Sequence, residues 1–417
     1  MPLPNQEVQP STVRIHDSPS VGRHSSPVVI GTSFRDSNID YRERLVQLLE
    51  ADDWIGGLPA SEWALIKTCN RVEFAFSSSD PEVLMEMVSE RFGEALGEVH
   101  FHTYAGRAAI SYLFRVASGL DSMVVNDGQI LAQMRAAGKE ARKAGTSKAV
   151  LPPLFDAAVS VGERAKTILG RSGDSVGAFA IKVALKSLRR RPKNVVIIGT
   201  GKMSRIAASM LAGSRIRVVT RRSKLPSSMK GVEFVSWRGI KGAIRDSELV
   251  LSATKSDGYV VHADEIVDGK EKIVVDLGFP RNVDPALRGK PCIQLLDLDD
   301  LAKRSASVNP RMTRRAEAMV ELEASEFNDW LGASKLSPQL PMIFRWADRV
   351  RLEETETVFR RLRNLSPRQR RIIEAMGRRI TSKLLAKPAA FAKASDPRLP
   401  QEERIRMLSA VFMEGSR

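Results

Sequence analysis

The chain has 417 residues, 43% of them apolar, and a formal charge of +16. At roughly 100–200 residues per domain the length allows two to four domains. No apolar run approaches the roughly 18 residues of a membrane span, and two cysteines, Cys69 and Cys292, do not make a disulfide framework. The five histidines (His16, His24, His100, His102, His262) show no ligand spacing matched to a cysteine, which argues against a metal site. The positive charge suits either a polyanionic partner such as a nucleic acid or a surface tuned for solubility.

Residues 1–26 are polar, with Pro, Ser and isolated charges but no apolar signal stretch; they predict a disordered leader on a cytoplasmic protein. Residues 27–105 alternate strand and helix patterns. Val28, Val29 and Ile30 form a short apolar run closed by Gly31, and Tyr41, Leu45, Leu48 and Leu49 have helical spacing. Ala64 to Ile66 and Val72 to Phe76 read as strands flanking a polar loop, Lys67 to Arg71, and helical spacing returns over 82–96. The natural class is mixed α+β. Residues 106–190 are mostly helical: Ile110, Leu113, Phe114 and Ala117 share a face, 129–144 and 154–169 look similar, and Gly145, Pro152, Pro153 and Gly173 punctuate.

Val195 to Ile198 is a fully apolar strand of the kind a parallel sheet buries on both faces. Further strands at Arg217 to Thr220, Leu249 to Ser252 and Ile273 to Leu277 give a βαβ domain. Residues 308–417 are nearly all helical. Met312, Ala316, Met319, Val320, Phe327, Trp330 and Leu331 form a stripe, Pro338 and Pro341 break it, and Ile372, Ile373, Met376, Ile380 and Leu384 share a later face. Such faces pack on each other or on a partner chain. The arginines among them, Arg360 to Arg379, read as a solvated face. The expected domains are 27–170, 171–305 and 306–417 after the leader.

Two motifs carry chemistry. Gly199-Thr200-Gly201-Lys202-Met203-Ser204 directly follows the apolar strand and opens a helix. The first glycine permits a tight turn, the second lets backbone approach a pyrophosphate, and the helix N-terminus offers free N–H groups to phosphate. Ser204, in place of a third glycine, is still small enough for helix–strand packing. The end of the next strand reads Thr220-Arg221-Arg222-Ser223. Arginines there suit the 2′-phosphate of NADP(H), where an acid would suit the NAD ribose. The second motif is Thr68-Cys69-Asn70-Arg71. A cation two residues away favours the thiolate, the nucleophilic form, although a free cysteine is also a common small buried hydrophobe. A thiolate beside a nicotinamide makes thioester reduction natural chemistry. Cys292, after Pro291 and before Ile293-Gln294-Leu295-Leu296, reads as a structural cysteine.

With Leu113-Phe114-Arg115-Val116-Ala117-Ser118-Gly119-Leu120-Asp121-Ser122 and Gln129-Ile130-Leu131, these motifs occur in an order that resembles the glutamyl-tRNA reductase family, over about residues 27–410. The resemblance implies an α/β multi-domain fold: an N-terminal α+β catalytic domain, a Rossmann-type NADP domain, a long spinal helix and a C-terminal helical dimerisation domain. It implies a homodimer and NADPH-dependent reduction of glutamyl-tRNA to glutamate-1-semialdehyde through a Cys69 thioester, the first step of five-carbon tetrapyrrole biosynthesis. Handover to glutamate-1-semialdehyde aminomutase is implied as well. Substrate contacts fall to Thr68, Asn70, Arg71, Ser122, Asp127, Gly128, Gln129 and Gln133, with the planar fork of Arg71 suited to a carboxylate.

The sequence departs from that family at two places. Tyr112 stands where the family has a His important for activity, and Tyr is a poor base near neutral pH but still a hydrogen-bond donor. Asn126-Asp127-Gly128-Gln129 replaces Gly-Glu-Pro-Gln, keeping the charge on a shorter arm. His100 or His102 is the imidazole available to replace the missing one. An active reductase is therefore weighed against a catalytically weak relative that binds tRNA, haem or a pathway partner. A shikimate-dehydrogenase-like NADP enzyme is a third reading, which leaves the Cys69 loop and the C-terminal helices unexplained.

Overall fold

The computed structural model describes residues 25–414 apart from 52–54, 98–99, 125–127, 171–174, 223–224, 228, 257, 267–270, 305–309, 336–339, 363–364 and 394–398. The expected leader, apart from its last two residues, lies outside them. Ser26, the last leader residue, already pairs in a strand. Contacts divide the chain into two units, Met1–Ala324 and Ser325–Arg417.

The first unit opens with a four-stranded antiparallel sheet. Its strands are β1 (Ser26–Ser33), β2 (Glu62–Lys67), β3 (Arg71–Ser78) and β4 (His102–Ala105), in the order β2-β3-β1-β4. Helices α1 (Ile39–Ala51) and α2 (Pro81–Leu96) cover it. Val28, Ile30, Leu45, Phe74, Phe76, Leu84 and Phe92 form the buried layer between. Helices α3 (Gly106–Ala117), α4 (Gly128–Lys143) and α5 (Leu151–Leu169) follow. No side chain of the chain's own turn caps α5. The Glu62 carboxylate of β2 does so instead, accepting the N–H groups of Lys148, Ala149, Val150 and Leu151 at 2.7–3.1 Å. An anion there meets both the unpaired amides and the positive helix end.

After α6 (Val176–Leu188) comes a parallel sheet of β5 (Asn194–Ile198), β6 (Arg215–Thr220), β7 (Glu233–Ser236), β8 (Leu249–Ser252), β9 (Lys272–Asp276) and β10 (Ile293–Leu296). Helices α7 (Lys202–Met210), α8 (Ile240–Arg245) and α9 (Leu298–Lys303) connect or close it. The strand order β10-β9-β8-β5-β6-β7 reverses direction between β5 and β8. That is the doubly wound arrangement, with its crevice at the carboxyl ends of those two strands. The residues of β5 and β8 are apolar and buried on both faces, apart from half-buried Asn194 and buried Ser252, as the uninterrupted pattern Val195 to Ile198 predicts. Strands β7 and β10 escape the sequence pattern.

Helix α10 (Pro310–Lys335) begins in the first unit. Its Ala316, Val320 and Ala324 are buried, Glu317 pairs with Arg115 of α3 at 3.6 Å, Glu321 accepts from Ser111 of α3, and Glu323 pairs with Arg164 of α5. The second unit holds α11 (Leu340–Arg361), α12 (Pro367–Lys393) and α13 (Gln401–Ser409), around Ile343, Leu385, Ala392, Ile405 and Leu408. On α12, Ile372, Met376, Ile380 and Leu384 are more than half exposed and recur every four residues, a stripe left uncovered in one chain. Among the described residues no helix is long and apolar enough to cross a membrane.

Candidate active site

Three residues link β2 to β3. Thr68 folds them into a tight turn: its N–H donates to Arg71 O at 2.9 Å, and its Oγ1 accepts the Asn70 and Arg71 N–H groups at 3.2 and 3.1 Å. The Phe34 N–H, from the loop after β1, donates to Asn70 O at 2.8 Å. Cys69 is therefore presented, half-buried, on a turn braced from both sides. It packs against an apolar cluster that contains Ile39, Met123 and Val124 of the N-terminal domain and Val195, Ile197, Leu251 and Leu277 of the parallel sheet. One continuous cluster thus reaches from the thiol to the nucleotide domain.

Beneath the turn lies a buried polar network. Arg71 is 1% exposed. Its Nη1 donates to Glu73 Oε1 at 2.7 Å and Tyr112 Oη at 2.8 Å, and its Nη2 donates to Asp121 O at 2.5 Å and Oδ2 at 3.3 Å. Tyr112 donates in turn to Glu73 Oε1 at 2.5 Å. His102 enters from β4, with Nδ1 2.8 Å from Asp36 Oδ2 and Nε2 3.3 Å from Glu73 Oε1. Its ring centroid lies 5.0 Å from that of Tyr112, and Tyr104 stacks on Tyr112 at 4.3 Å. Asp36 also accepts from Ser33 N–H and Oγ, and Arg35 reaches Asp121 at 3.1 Å.

The ionisation states follow from this packing. Burial opposes charge on Glu73, but Arg71 and His102 outweigh it and hold the carboxyl below its usual range. Burial likewise opposes a charged His102, yet its bonds to Asp36 and Glu73 push it up to about 9, so the ring is an imidazolium at neutral pH. Burial and the Glu73 charge push Tyr112 well above its ordinary value, which makes it a neutral donor. Three cations (Arg35, Arg71, His102) then face three carboxylates (Asp36, Glu73, Asp121), and the cluster is balanced only while His102 is protonated.

The glycine turn has the geometry that its spacing predicts. Gly199 has φ +107°, and a Cβ there would lie 2.6 Å from Ala253 O at the end of β8. No side chain fits where the two central strands converge. At Gly201 the nearest atom to an added Cβ is Ala253 O at 3.9 Å. That position is open, as backbone approach to a pyrophosphate needs. Gly201 precedes α7, whose first residues are Lys202, Met203 and Ser204. Ser204 is buried with no hydrogen-bond partner for its Oγ. Thr200 completes the turn. Arg221 and Arg222 are exposed just past β6, with the Arg221 guanidinium 4.5 Å above the Trp237 ring. Ser223 lies outside the described residues. The crevice suits a nicotinamide dinucleotide.

Comparison with known proteins matches three parts of the chain. A family model described as "Glutamyl-tRNAGlu reductase, N-terminal domain" matches residues 30–168, one described as "Shikimate / quinate 5-dehydrogenase" matches 182–304, and one described as "Glutamyl-tRNAGlu reductase, dimerisation domain" matches 315–414. The chain belongs to the glutamyl-tRNA reductase family. Relatives of that name include one from Syntrophotalea carbinolica, 29% identical over 92% of this chain and 94% of the relative. Another, from Chloroflexus aggregans, is 28% identical over 93% and 92%. Among solved structures, glutamyl-tRNA reductase from Methanopyrus kandleri is similar at 23% identity and a TM-score of 0.37, covering 94% of this chain and 98% of that one. The shikimate-type match stops at residue 304, so that reading describes the nucleotide domain alone.

Of the site residues expected for this family, the structure joins Thr68, Asn70, Arg71 and Tyr112 to the Cys69 turn or the network under it. Ser122 is buried beside Asp121. Gly128, Gln129 and Gln133 lie on the first two turns of α4, with both glutamines half-buried. Asn126 and Asp127 lie outside the described residues. Both Nη groups of Arg71, expected to meet a carboxylate of the substrate, are engaged inside the protein here. The two imidazoles also separate. His102 starts β4, whereas His100 precedes the strand and sits edge-on to Tyr41 at 5.3 Å. Cys292 is exposed, with φ +66°, and is not a core cysteine: it sits in the turn before β10 and not on the strand itself. Neither Glu73 nor Asp121 is named as a site residue in the sequence reading. The available signal was Glu73 two residues after Arg71 on a strand, which puts both on one face. Among the described residues no group of His, Cys, Asp and Glu is arranged to hold a metal ion.

Proposed function

We propose that this chain is an NADPH-dependent glutamyl-tRNA reductase whose nucleophile is Cys69. The observation that carries the proposal is the braced, half-buried Cys69 turn, packed on an apolar cluster shared with the glycine-turn domain. The Cys69 thiolate attacks the ester carbonyl joining glutamate to tRNA. The C–S bond forms as the C–O bond to the ribose breaks, and the ribose oxygen takes up a proton. NADPH, when bound, supplies the hydride that converts the thioester carbonyl to the aldehyde; the C–S bond breaks and the sulfur regains a proton. Gly199, Gly201 and the α7 N-terminus hold the pyrophosphate, and Arg221 and Arg222 select the 2′-phosphate. Arg71, Glu73 and His102 act as positioning residues that fix the turn. The Tyr112 phenol, held neutral, donates to Glu73 and takes no proton from the thiol.

The α12 stripe serves homodimerisation, as the matched dimerisation domain supports. The charge of +16 suits the tRNA. A cytoplasmic location and transfer of the aldehyde to an aminomutase complete the reading. One observation favours the weaker alternative, a relative that binds tRNA, haem or a pathway partner without turnover: the Arg71 fork is closed by Glu73 and Asp121. A single assay separates the two. With glutamyl-tRNA and NADPH, formation of glutamate-1-semialdehyde that vanishes in Cys69→Ser is the expected result. Cofactor and tRNA binding with no turnover overturns it.

A further inference from the structure

Helix α1 is gripped by the nucleotide domain on both sides of its first turn. Asp299, the second residue of α9, lays its carboxylate on the N-terminus of α1. Its Oδ2 accepts the Ile39 N–H at 2.7 Å, and its Oδ1 accepts from Arg42 Nη2 at 2.8 Å. First-turn amides lack partners in their own helix and carry the positive end of its dipole. Here the anion comes from a different domain. Arg42 is fully buried, and its Nη1 donates to Ser37 O at 2.5 Å. Asp40 and Glu43, three residues apart on one helix face, receive Arg281 from the loop after β9. Arg281 Nε donates to Glu43 Oε2 at 3.0 Å, its Nη2 pairs with Asp40, and its backbone N–H donates to Glu43 Oε1. Both the Arg281 and Glu43 side chains are largely buried. Ile39, between the two grips, is buried in the cluster that holds Leu298 and Leu301 of the nucleotide domain.

The grip reaches the thiol by a short path. Arg42 holds Ser37, and the loop of residues 33–38 also supplies Phe34, whose N–H holds the Cys69 turn, and Asp36, which holds His102. We infer that Asp299 and Arg281 are positioning residues that lock the nucleotide domain onto α1, fixing the nicotinamide cleft and the Cys69 turn in the register that hydride delivery requires. The inference rests on the reductase reading given above. Acylation of Cys69 uses the N-terminal domain alone, whereas reduction needs both domains, so the lock governs only the second step.

The test is Arg281→Glu, which sets a third carboxylate against Asp40 and Glu43, with Arg281→Glu/Glu43→Arg as the charge swap. Glutamyl-tRNA cleavage without NADPH is expected to stay within about two-fold of wild type. Semialdehyde formed per tRNA cleaved, with NADPH, is expected to fall at least about ten-fold, with free glutamate rising in its place, since misplacement by an ångström is enough for such losses. The swap is expected to restore most of the reduction. Amide hydrogen exchange over residues 39–45 is expected to accelerate in Arg281→Glu and slow again in the swap. Equal loss of both steps, no loss of reduction, or failure of the swap overturns the lock. If the wild-type protein makes no semialdehyde, the reductase reading falls and exchange alone decides: unchanged exchange in Arg281→Glu then overturns the lock too.

Discussion

Replacing His102 by Gln removes one positive charge from a cluster of three cations and three carboxylates whose centre, Arg71 and Glu73, is buried. Glutamine retains a donor toward Asp36 but leaves Glu73, which is fully buried, with only Arg71 to offset its charge. The size of the loss follows from the imidazole, which the network lifts from 6.5 to about 9. At about 1.36 kcal/mol per pKa unit, that shift corresponds to about 3 kcal/mol of folding free energy. Its direction is set by the sign of the shift. A folded-state value above the unfolded one gives a contribution that is complete below about 6.5 and is lost as pH rises through about 9. Histidine NMR titration, with His102→Gln identifying the signal, is expected to show a midpoint near 9, not 6.5. Denaturant unfolding of the first unit is expected to place the variant about 3 kcal/mol below wild type at pH 6, with the gap narrowing as pH rises from about 6.5 and mostly closed by about pH 9. A midpoint near 6.5, or a gap that stays the same across that range, refutes the charge-balance reasoning.

Two further perturbations address the cofactor. Arg221→Ala is expected to weaken NADPH binding much more than NADH binding, measured by fluorescence titration, because only NADPH carries the 2′-phosphate; equal losses count against the assignment. Gly199→Ala places a Cβ 2.6 Å from Ala253 O at a backbone φ of +107°. It is expected to destabilise the nucleotide domain by at least about 2 kcal/mol and to abolish NADPH binding, read from thermal melting with and without cofactor. A wild-type melting profile contradicts the steric reading of the turn.

The parts of this fold that the sequence makes legible are those with one dominant periodicity or one demanding local geometry. Val195 to Ile198 is apolar at every position because helices and loops cover both faces of its sheet. The glycine turn is recognisable because backbone must pass where no side chain fits. The turn at Cys69 announces itself by polar residues between two apolar strands. What escaped is short or paired across distance. β7 and β10 lack the uninterrupted apolar run that marks the equally short β8: β7 is mixed and mostly exposed, and Gln294 interrupts β10. Glu62 is a charged residue at the start of a strand, and its use as the cap of α5 depends on residues 86–89 positions later. Asp121 enters the sequence reading only as one residue of the Leu113 to Ser122 motif, while its role in holding Arg71 depends on a partner 50 positions away. Arg71 stands in the motif that the sequence singles out, but the partners that engage its guanidinium, Glu73, Tyr112 and Asp121, come together only in the fold.

Tyr112 illustrates the same limit. Judged by position, it replaces the family's imidazole with a side chain that cannot serve as a base near neutral pH. Judged by space, an imidazole is present all the same: His102 reaches the network from β4, its ring centroid 5.0 Å from that of Tyr112, and both groups converge on Glu73 Oε1. The two side chains divide the work there. The phenol contributes a neutral hydrogen bond and the imidazole the charge, whereas an imidazolium at position 112 would set a cation against Nη1 of Arg71, which the phenol oxygen accepts at 2.8 Å. An imidazole on the strand avoids that repulsion by facing Asp36 on its far side. The chain thus keeps an imidazole beside position 112, brought by β4 to the buried cluster of Arg71, Glu73 and Tyr112. Returning His to position 112 alone would place an imidazole against Nη1 of Arg71, and as an imidazolium it would be a third cation beside Glu73, with Arg71 and His102.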